Sequence, residues 1–162
     1  MKIGILSDTH IHLPKDKIPA ALIDGLKNVD LILHAGDILD LAVIRKLEKI
    51  AQVKAVQGNM DTPVLKEILP ERELIRAEQI KIGLIHGWGP PVGLLDRVKE
   101  LFYTMKVDVV IFGHSHTPMI KKIDGVLFIN PGSPTDKIFA PYNSYVVLEV
   151  KGNKAEAQIV KI

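Results

Sequence analysis

Lys2-Ile3-Gly4-Ile5-Leu6-Ser7-Asp8-Thr9-His10 begins as an apolar run and ends in a carboxylate and an imidazole two residues apart. Residues 2–6 read as a short buried strand, and a polar pair at its end is poor core material. In an extended segment residues i and i+2 point to the same side, so the pattern predicts that Asp8 and His10 reach one metal ion together. A lone Asp-x-His is a weak signal. It gains weight because later apolar runs end in the same way. Asp30-Leu31-Ile32-Leu33-His34 leads into Gly36-Asp37, and residues 53–56 lead into Gly58-Asn59-Met60-Asp61. Residues 80–85 run into His86-Gly87-Trp88, and residues 108–112 into Gly113-His114-Ser115-His116.

Outward from this stretch, strands alternate with helical segments. Pro19 to Leu26 has proline near a helix start, and Leu41, Ile44, Leu47 and Ile50 recur at three-residue intervals between charges, as on an amphipathic helix. Residues 92–105 read as another helix, with Leu94, Leu95, Val98, Leu101 and Phe102 on its inner face. Such units predict an α/β sheet with parallel strands at its centre. Residues 72–77 and 80–85 read as a hairpin or successive strands. The last third is β-rich, over 119–123, 126–129, 144–150 and 155–160, with Asp124-Gly125 and Gly152-Asn153 placed for hairpin turns. No linker or repeat interrupts the chain, so residues 1–162 are expected to form one domain.

Composition sets the outer bounds. The chain has 162 residues, 47% apolar and 25% charged, which suits one soluble core. Its formal charge of +2 shows no clustered basic face of the kind that nucleic acid requires. There is no cysteine, which excludes disulfides and thiolate metal sites. No apolar run approaches the ~18 residues of a membrane-spanning helix, and Asp8 interrupts the first run too early for a signal peptide. A cytoplasmic location is the expectation, and a homo-oligomer is compatible with it.

Ligands gather outside the carboxyl ends of strands in open α/β sheets. Adjacent strands would therefore bring together Asp8, His10, Asp37, Asn59, His86, His114 and His116. Oxygen and imidazole donors without sulfur suit Mn²⁺, Fe, Ni²⁺ or Zn²⁺. Seven donors exceed one tetrahedral ion and suffice for two ions sharing a carboxylate.

The five motifs Asp8-Thr9-His10, Gly36-Asp37, Gly58-Asn59-Met60-Asp61, His86 and Gly113-His114-Ser115-His116 together resemble the calcineurin-like metallophosphoesterases, in the same order from residue 3 to about residue 135. Lys81-Ile82-Gly83-Leu84-Ile85-His86-Gly87 and Ile129-Asn130-Pro131-Gly132-Ser133 look most like the small bacterial and archaeal phosphodiesterase branch. That branch includes the metallophosphoesterase-like scaffold subunit of eukaryotic retromer. The resemblance implies a two-sheet β-sandwich flanked by helices. It implies one metal on Asp8, His10 and His116, a second on Asn59, His86 and His114, and Asp37 between them. Two divalent ions, Mn²⁺ first with Ni²⁺, Fe, Zn²⁺ or Mg²⁺ as alternatives, would cleave a small phosphodiester through a metal-bridging hydroxide. Asp37, Asn59 and His86 would be the catalytic residues.

Met60 departs from the family pattern, which has histidine there as a proton donor to the leaving oxygen. A thioether has no proton to give. Asn59, Met60 and Trp88 are the expected substrate contacts. The bland readings are specific too. His34 is a strand-end histidine or a partner that orients a ligand, His12 a surface loop residue, and Lys121-Lys122 a solvated strand edge. Ser133 belongs first of all to a turn, and Asp61 orients a water or a neighbouring ligand. Two alternatives belong to other classes: a protein-interaction scaffold with a weak or vestigial metal site, and a nuclease, for which the chain has no large basic insertion.

Overall fold

A computed structural model describes residues 1–162. Its two five-stranded sheets pack face to face with three helices outside one sheet and one outside the other. The first sheet has the order β10-β9-β1-β2-β3, with β1 (Lys2–Leu6), β2 (Leu31–His34), β3 (Gln52–Ala55), β9 (Ser144–Lys151) and β10 (Lys154–Lys161). The second has the order β4-β5-β6-β8-β7, with β4 (Arg72–Ala77), β5 (Ile80–Ile85), β6 (Val109–Ile111), β7 (Met119–Ile123) and β8 (Val126–Asn130). The centre of each sheet is parallel: β1 with β2 and β2 with β3, then β5 with β6 and β6 with β8. Antiparallel strands flank these cores. The architecture is the helix-flanked two-sheet sandwich that the motifs imply.

Strand alternation divides the apolar residues between layers. Ile3 and Ile5 of β1, Leu31 and Leu33 of β2, Ile82 and Leu84 of β5 and Val109 and Ile111 of β6 fill the space between the sheets. Their neighbours Leu6 and Ile32 face the opposite way. They meet Leu22 and Leu26 of α1 (Ala20–Leu26) and Val43, Ile44 and Leu47 of α2 (Leu41–Leu47). On the far sheet, Val110 and Phe128 pack on Leu94, Val98 and Phe102 of α4 (Leu94–Phe102). Strands buried on both faces read as continuous apolar runs, which is why β1, β2 and β6 stand out in the sequence. Each side chain wholly removed from water here contributes roughly 1.5–3 kcal/mol.

One helix has no counterpart in the sequence reading and another differs from it. Residues 60–70 contain a helix, α3 (Pro63–Ile68), with Pro at its first turn after Thr62. Its six residues bury only Leu65, too little to produce an amphipathic pattern. The helix read over 92–105 is shorter, because Gly93 at φ 76° starts it at Leu94. Asp124 (φ 49°) and Gly125 (φ 87°) form the expected turn between β7 and β8. No helix is long and apolar enough to cross a membrane.

Candidate metal centre

The parallel strands of both sheets release their loops at the same edge, and backbone bonds fasten those loops together. The Asp8 N–H donates to Gly36 O (3.0 Å), His10 N–H to Asp37 O (3.1 Å) and Gly113 N–H to His86 O (3.0 Å). Across the sheets, the His114 N–H donates to Asp8 Oδ2 (3.0 Å). All seven predicted donor residues meet here. Close approach needs glycine at two of the junctions. A Cβ on Gly58 would lie 2.2 Å from Asp37 Oδ1, and one on Gly113 1.7 Å from Ser7 Oγ.

Asp8 and His10 converge, but not by the route that an extended strand end suggests. Both lie in the left-handed region, at φ 54° and 44°. Asp37 (56°), His114 (68°) and His116 (53°) share it. Five of the nine non-glycine residues with positive φ are thus members of the predicted ligand set. Each such residue costs on the order of 1–3 kcal/mol and persists where its surroundings over-determine it. Here the tight turns swing consecutive polar side chains towards one centre.

The first group is Asp8, His10 and His116. His116 Nε2 lies 3.2 Å from Asp8 Oδ1 and 3.4 Å from His10 Nε2. The second surrounds His86, whose Nε2 lies 3.1 Å from Asn59 Oδ1 and 3.3 Å from Asp37 Oδ2. His114 Nδ1 is 3.0 Å from the same Asn59 oxygen. Asp37 Oδ2 also comes within 3.6 Å of His10 Nε2, so it faces both groups. Asp8 does as well, with Oδ1 at 3.9 Å from His86 Nε2, a shared position that the sequence reading gave to Asp37 alone.

Proton positions follow from the partners. A carbonyl can only accept, so His86 Nδ1 donates to Ala35 O (2.7 Å) and His114 Nε2 to Gly89 O (2.7 Å). In their neutral forms His86 Nε2 and His114 Nδ1 then carry lone pairs, and both lone pairs point at the Asn59 carbonyl oxygen. His116 Nδ1 faces the Asp136 carboxylate (2.5 Å), which turns Nε2 to Asp8 and His10. Asp8 Oδ1 is buried and makes no hydrogen bond. Electron pairs facing one another at such distances are mutually repulsive unless a proton or a cation lies among them. The donor set therefore fits divalent metal ions of the oxygen-and-imidazole class.

Without metal, protons answer the same demand. Burial opposes ionisation of Asp8, but His10, His116 and His86 outweigh it and hold the carboxyl below the usual range. Asp37 is lowered likewise, against burial, by His86 and the Met60 N–H. Burial disfavours the His116 imidazolium, yet Asp8 and Asp136 raise its pKa to about 9. His86 is raised, against burial, by Asp37 and Asp8.

Several surrounding residues support the ligand loops. Asp61 is buried and accepts four backbone N–H groups, from Asp37 (3.1 Å), Ile38 (2.6 Å), Leu39 (2.8 Å) and Gly58 (2.7 Å). It clamps two ligand loops together and so orients the neighbouring Asp37. Ser133 Oγ donates to Asp8 O (2.7 Å) and Thr135 Oγ1 to Thr9 O (2.6 Å), so the loop after β8 braces the first turn. Lys66 of α3 donates to Asn59 O (2.7 Å). His34 is fully buried with Nε2 on Thr9 Oγ1 (3.2 Å), and burial drives its pKa down to about 4. His12 is exposed, and Lys121 and Lys122 lie exposed on the edge strand β7.

Two hollows flank the centre. One of about 760 Å³ is lined by His10, His116, Lys15, Lys17, Lys137 and Phe139 among others. The other, of about 450 Å³, is lined by Asn59, His86, Trp88, Lys66 and Arg72 among others. Met60 lines neither. Its side chain is 58% exposed, and its N–H donates to Asp37 Oδ1 (2.7 Å).

Comparison with known proteins agrees with this geometry. Residues 1–153 match the model of the calcineurin-like phosphoesterase superfamily domain. The chain is 40% identical to a probable metallophosphoesterase of Methanothermobacter thermautotrophicus, covering 99% of this chain and 92% of that protein. It is 35% identical to a phosphodiesterase of Methanocaldococcus jannaschii, covering 82% and 83%. The crystal structure of a Vps29 variant from Entamoeba histolytica superposes with a TM-score of 0.79 at 25% identity, covering 100% of this chain and 99% of that one. With its ligand motifs at one sheet edge and a family match over nearly its whole length, the chain belongs to the calcineurin-like phosphoesterase superfamily.

Proposed function

We propose that the protein is a phosphodiesterase with two divalent cations, Mn²⁺ in preference to Ni²⁺, Fe, Zn²⁺ or Mg²⁺. Asp8, His10 and His116 hold one ion, Asn59, His86 and His114 hold the other, and Asp37 serves both. The observation that carries this reading is the convergence of two buried carboxylates, four imidazoles and the Asn59 side-chain oxygen on one centre. Bound there, the two ions would offset charge building on the phosphoryl oxygens and lower the pKa of water, so that hydroxide is available near neutral pH.

The chain's own residues do the rest. The backbone bonds from His86 to Ala35 and from His114 to Gly89 fix which ring nitrogen each turns inward. Asn59 turns its carbonyl to those two rings, leaving its amide N–H groups for a substrate oxygen. A diester has two arms, and two hollows flank the centre to receive them, with Trp88 lining one and Phe139 the other. Lysines in both hollows attract an anionic substrate although the whole chain is nearly neutral. Met60 supplies no proton to the departing oxygen, so diesters with acidic leaving groups should react best.

The test is hydrolysis of bis(4-nitrophenyl) phosphate by metal-stripped protein, with Mn²⁺, Ni²⁺, Mg²⁺ or Zn²⁺ restored. 4-Nitrophenyl phosphate and an Asp37→Asn variant run beside it. Metal-dependent diester cleavage, faster than monoester cleavage and lost in the variant, is expected. No turnover with two ions bound would remove the enzymatic reading.

A further inference from the structure

Asp136 lies three residues beyond Asn130-Pro131-Gly132-Ser133 and belongs to none of the five motifs. Its carboxylate nevertheless touches the centre, with Oδ2 2.5 Å from His116 Nδ1. We propose that Asp136 is a positioning residue that fixes His116 with Nε2 aimed at a divalent cation. The assignment rests on the metal-dependent reading above and adds a residue to it.

The carboxylate is held from every side. Its Oδ1 accepts the Ile138 N–H (2.8 Å), and its Oδ2 accepts those of Phe139 (3.1 Å) and Ala140 (3.0 Å). Its own N–H donates to Ser133 Oγ (3.0 Å), the hydroxyl that donates to Asp8 O. Asn143 Nδ2 donates to Asp136 O (2.7 Å). Asp136 therefore cannot swing away, and the network that fixes it also fixes the Asp8 backbone. Phe139 stands edge-on to the His116 ring, with centroids 6.1 Å apart, and limits its tilt.

The chemistry follows from the two ring nitrogens. A carboxylate can only accept from Nδ1–H, so the neutral His116 ring presents its lone pair at Nε2, towards Asp8 Oδ1 and His10 Nε2. An anionic partner also makes that nitrogen a stronger donor, and loss of such outer partners typically weakens metal binding by about 10–100-fold. His86 and His114, by contrast, are oriented by neutral backbone carbonyls. Asp136 thus serves one group and leaves the other untouched.

Metal-stripped wild type, Asp136→Asn and Asp136→Glu would be titrated with Zn²⁺ against a chromophoric chelator to obtain two dissociation constants. In Asp136→Asn one constant should weaken by about 10–100-fold while the other holds, and Asp136→Glu should recover part of the loss. Both constants unchanged, or both weakened equally, would overturn the assignment. Nitrogen NMR of the Zn²⁺-loaded wild type needs no variant to fold. It should show His116 bound through Nε2 with a slowly exchanging Nδ1 proton, whereas coordination through Nδ1 would overturn the proposal. Wild-type protein that binds no Zn²⁺ would overturn both this assignment and the metal-dependent reading beneath it.

Discussion

His86 and His116 occupy corresponding places in the two halves of the centre and are held by different means. His86 is nearly inaccessible and gives its Nδ1 proton to the Ala35 carbonyl, a partner fixed by the sheet itself. His116 is more open and faces a side-chain carboxylate on a loop that arrives more than a hundred residues after Asp8. A backbone partner cannot be removed by substitution. A side chain can. The first half is thus built into the fold, and the second depends on a network that ties the loop after β8 to the first turn. The carboxylates Asp8 and Asp37, facing both halves, join them.

The largest expected effect comes from the joint between the halves. Asp8→Asn should abolish tight binding of both ions and slow diester hydrolysis by ~10³-fold or more, beyond the ~10–100-fold usual for outer partners. His114→Gln touches one half only and should leave one ion bound. Metal analysis of the dialysed variants checks this, and an Asp8→Asn protein retaining two ions would show that Asp8 does not join the halves.

Next in size is the clamp. Asp61→Ala leaves four backbone N–H groups without their acceptor, and buried unsatisfied donors cost ~1–3 kcal/mol each where water cannot reach them. Partial relaxation should bring the net loss to about 3–5 kcal/mol, measurable by urea unfolding of metal-free protein. A loss under about 1 kcal/mol would mean that the two loops hold together without Asp61.

Met60→His should raise turnover on diesters with alkyl leaving groups by roughly 10- to 100-fold, within the range of general-acid assistance. Nitrophenyl diesters, whose leaving groups need no proton, should gain little. Equal gains on both substrates would place the effect elsewhere than at the leaving oxygen.

The smallest effect is on the pH dependence of metal-free stability, and two histidines pull in opposite directions. Against burial, Asp8 and Asp136 raise the folded pKa of His116 to about 9. The folded state then binds more protons than the unfolded one between about pH 6.5 and 9, so this contribution is complete below that window and lost as pH rises through it. Burial lowers His34 to about 4, so its contribution is present above about pH 6.5 and lost as pH falls towards 4. Thermal melts across pH 4–9 should show His116→Gln flattening the alkaline side and His34→Asn the acid side. The reverse pairing would contradict both assignments.

The legible parts of the molecule are those with a repeating physical signature. Strands buried on both faces, such as Ile3 to Leu6 and Val109 to Ile111, appear as apolar runs. The seven donors appear because each ends such a run. Asp136 was hidden because an acidic residue in a loop looks the same whether it faces water or accepts three N–H groups, and the orienting role read for Asp61 did not show that it would accept four. The left-handed turns at Asp8, His10, Asp37, His114 and His116 carry no glycine to announce them. The only signal was residue type, since Asp and His enter that region several times more readily than most. The six-residue α3 was hidden by its length, and Thr62-Pro63 was its one available mark.

On the proposed function, two ions, one in each half, are needed for diester cleavage. The most direct test is stepwise addition of Mn²⁺ to metal-stripped protein, counting bound ions by electron paramagnetic resonance while hydrolysis of bis(4-nitrophenyl) phosphate is followed in the same samples. Two ions per chain are expected, with activity rising as the second enters and a spin-coupled signal appearing with it. Full activity with one ion bound, or two ions bound with no hydrolysis, would contradict the proposed function.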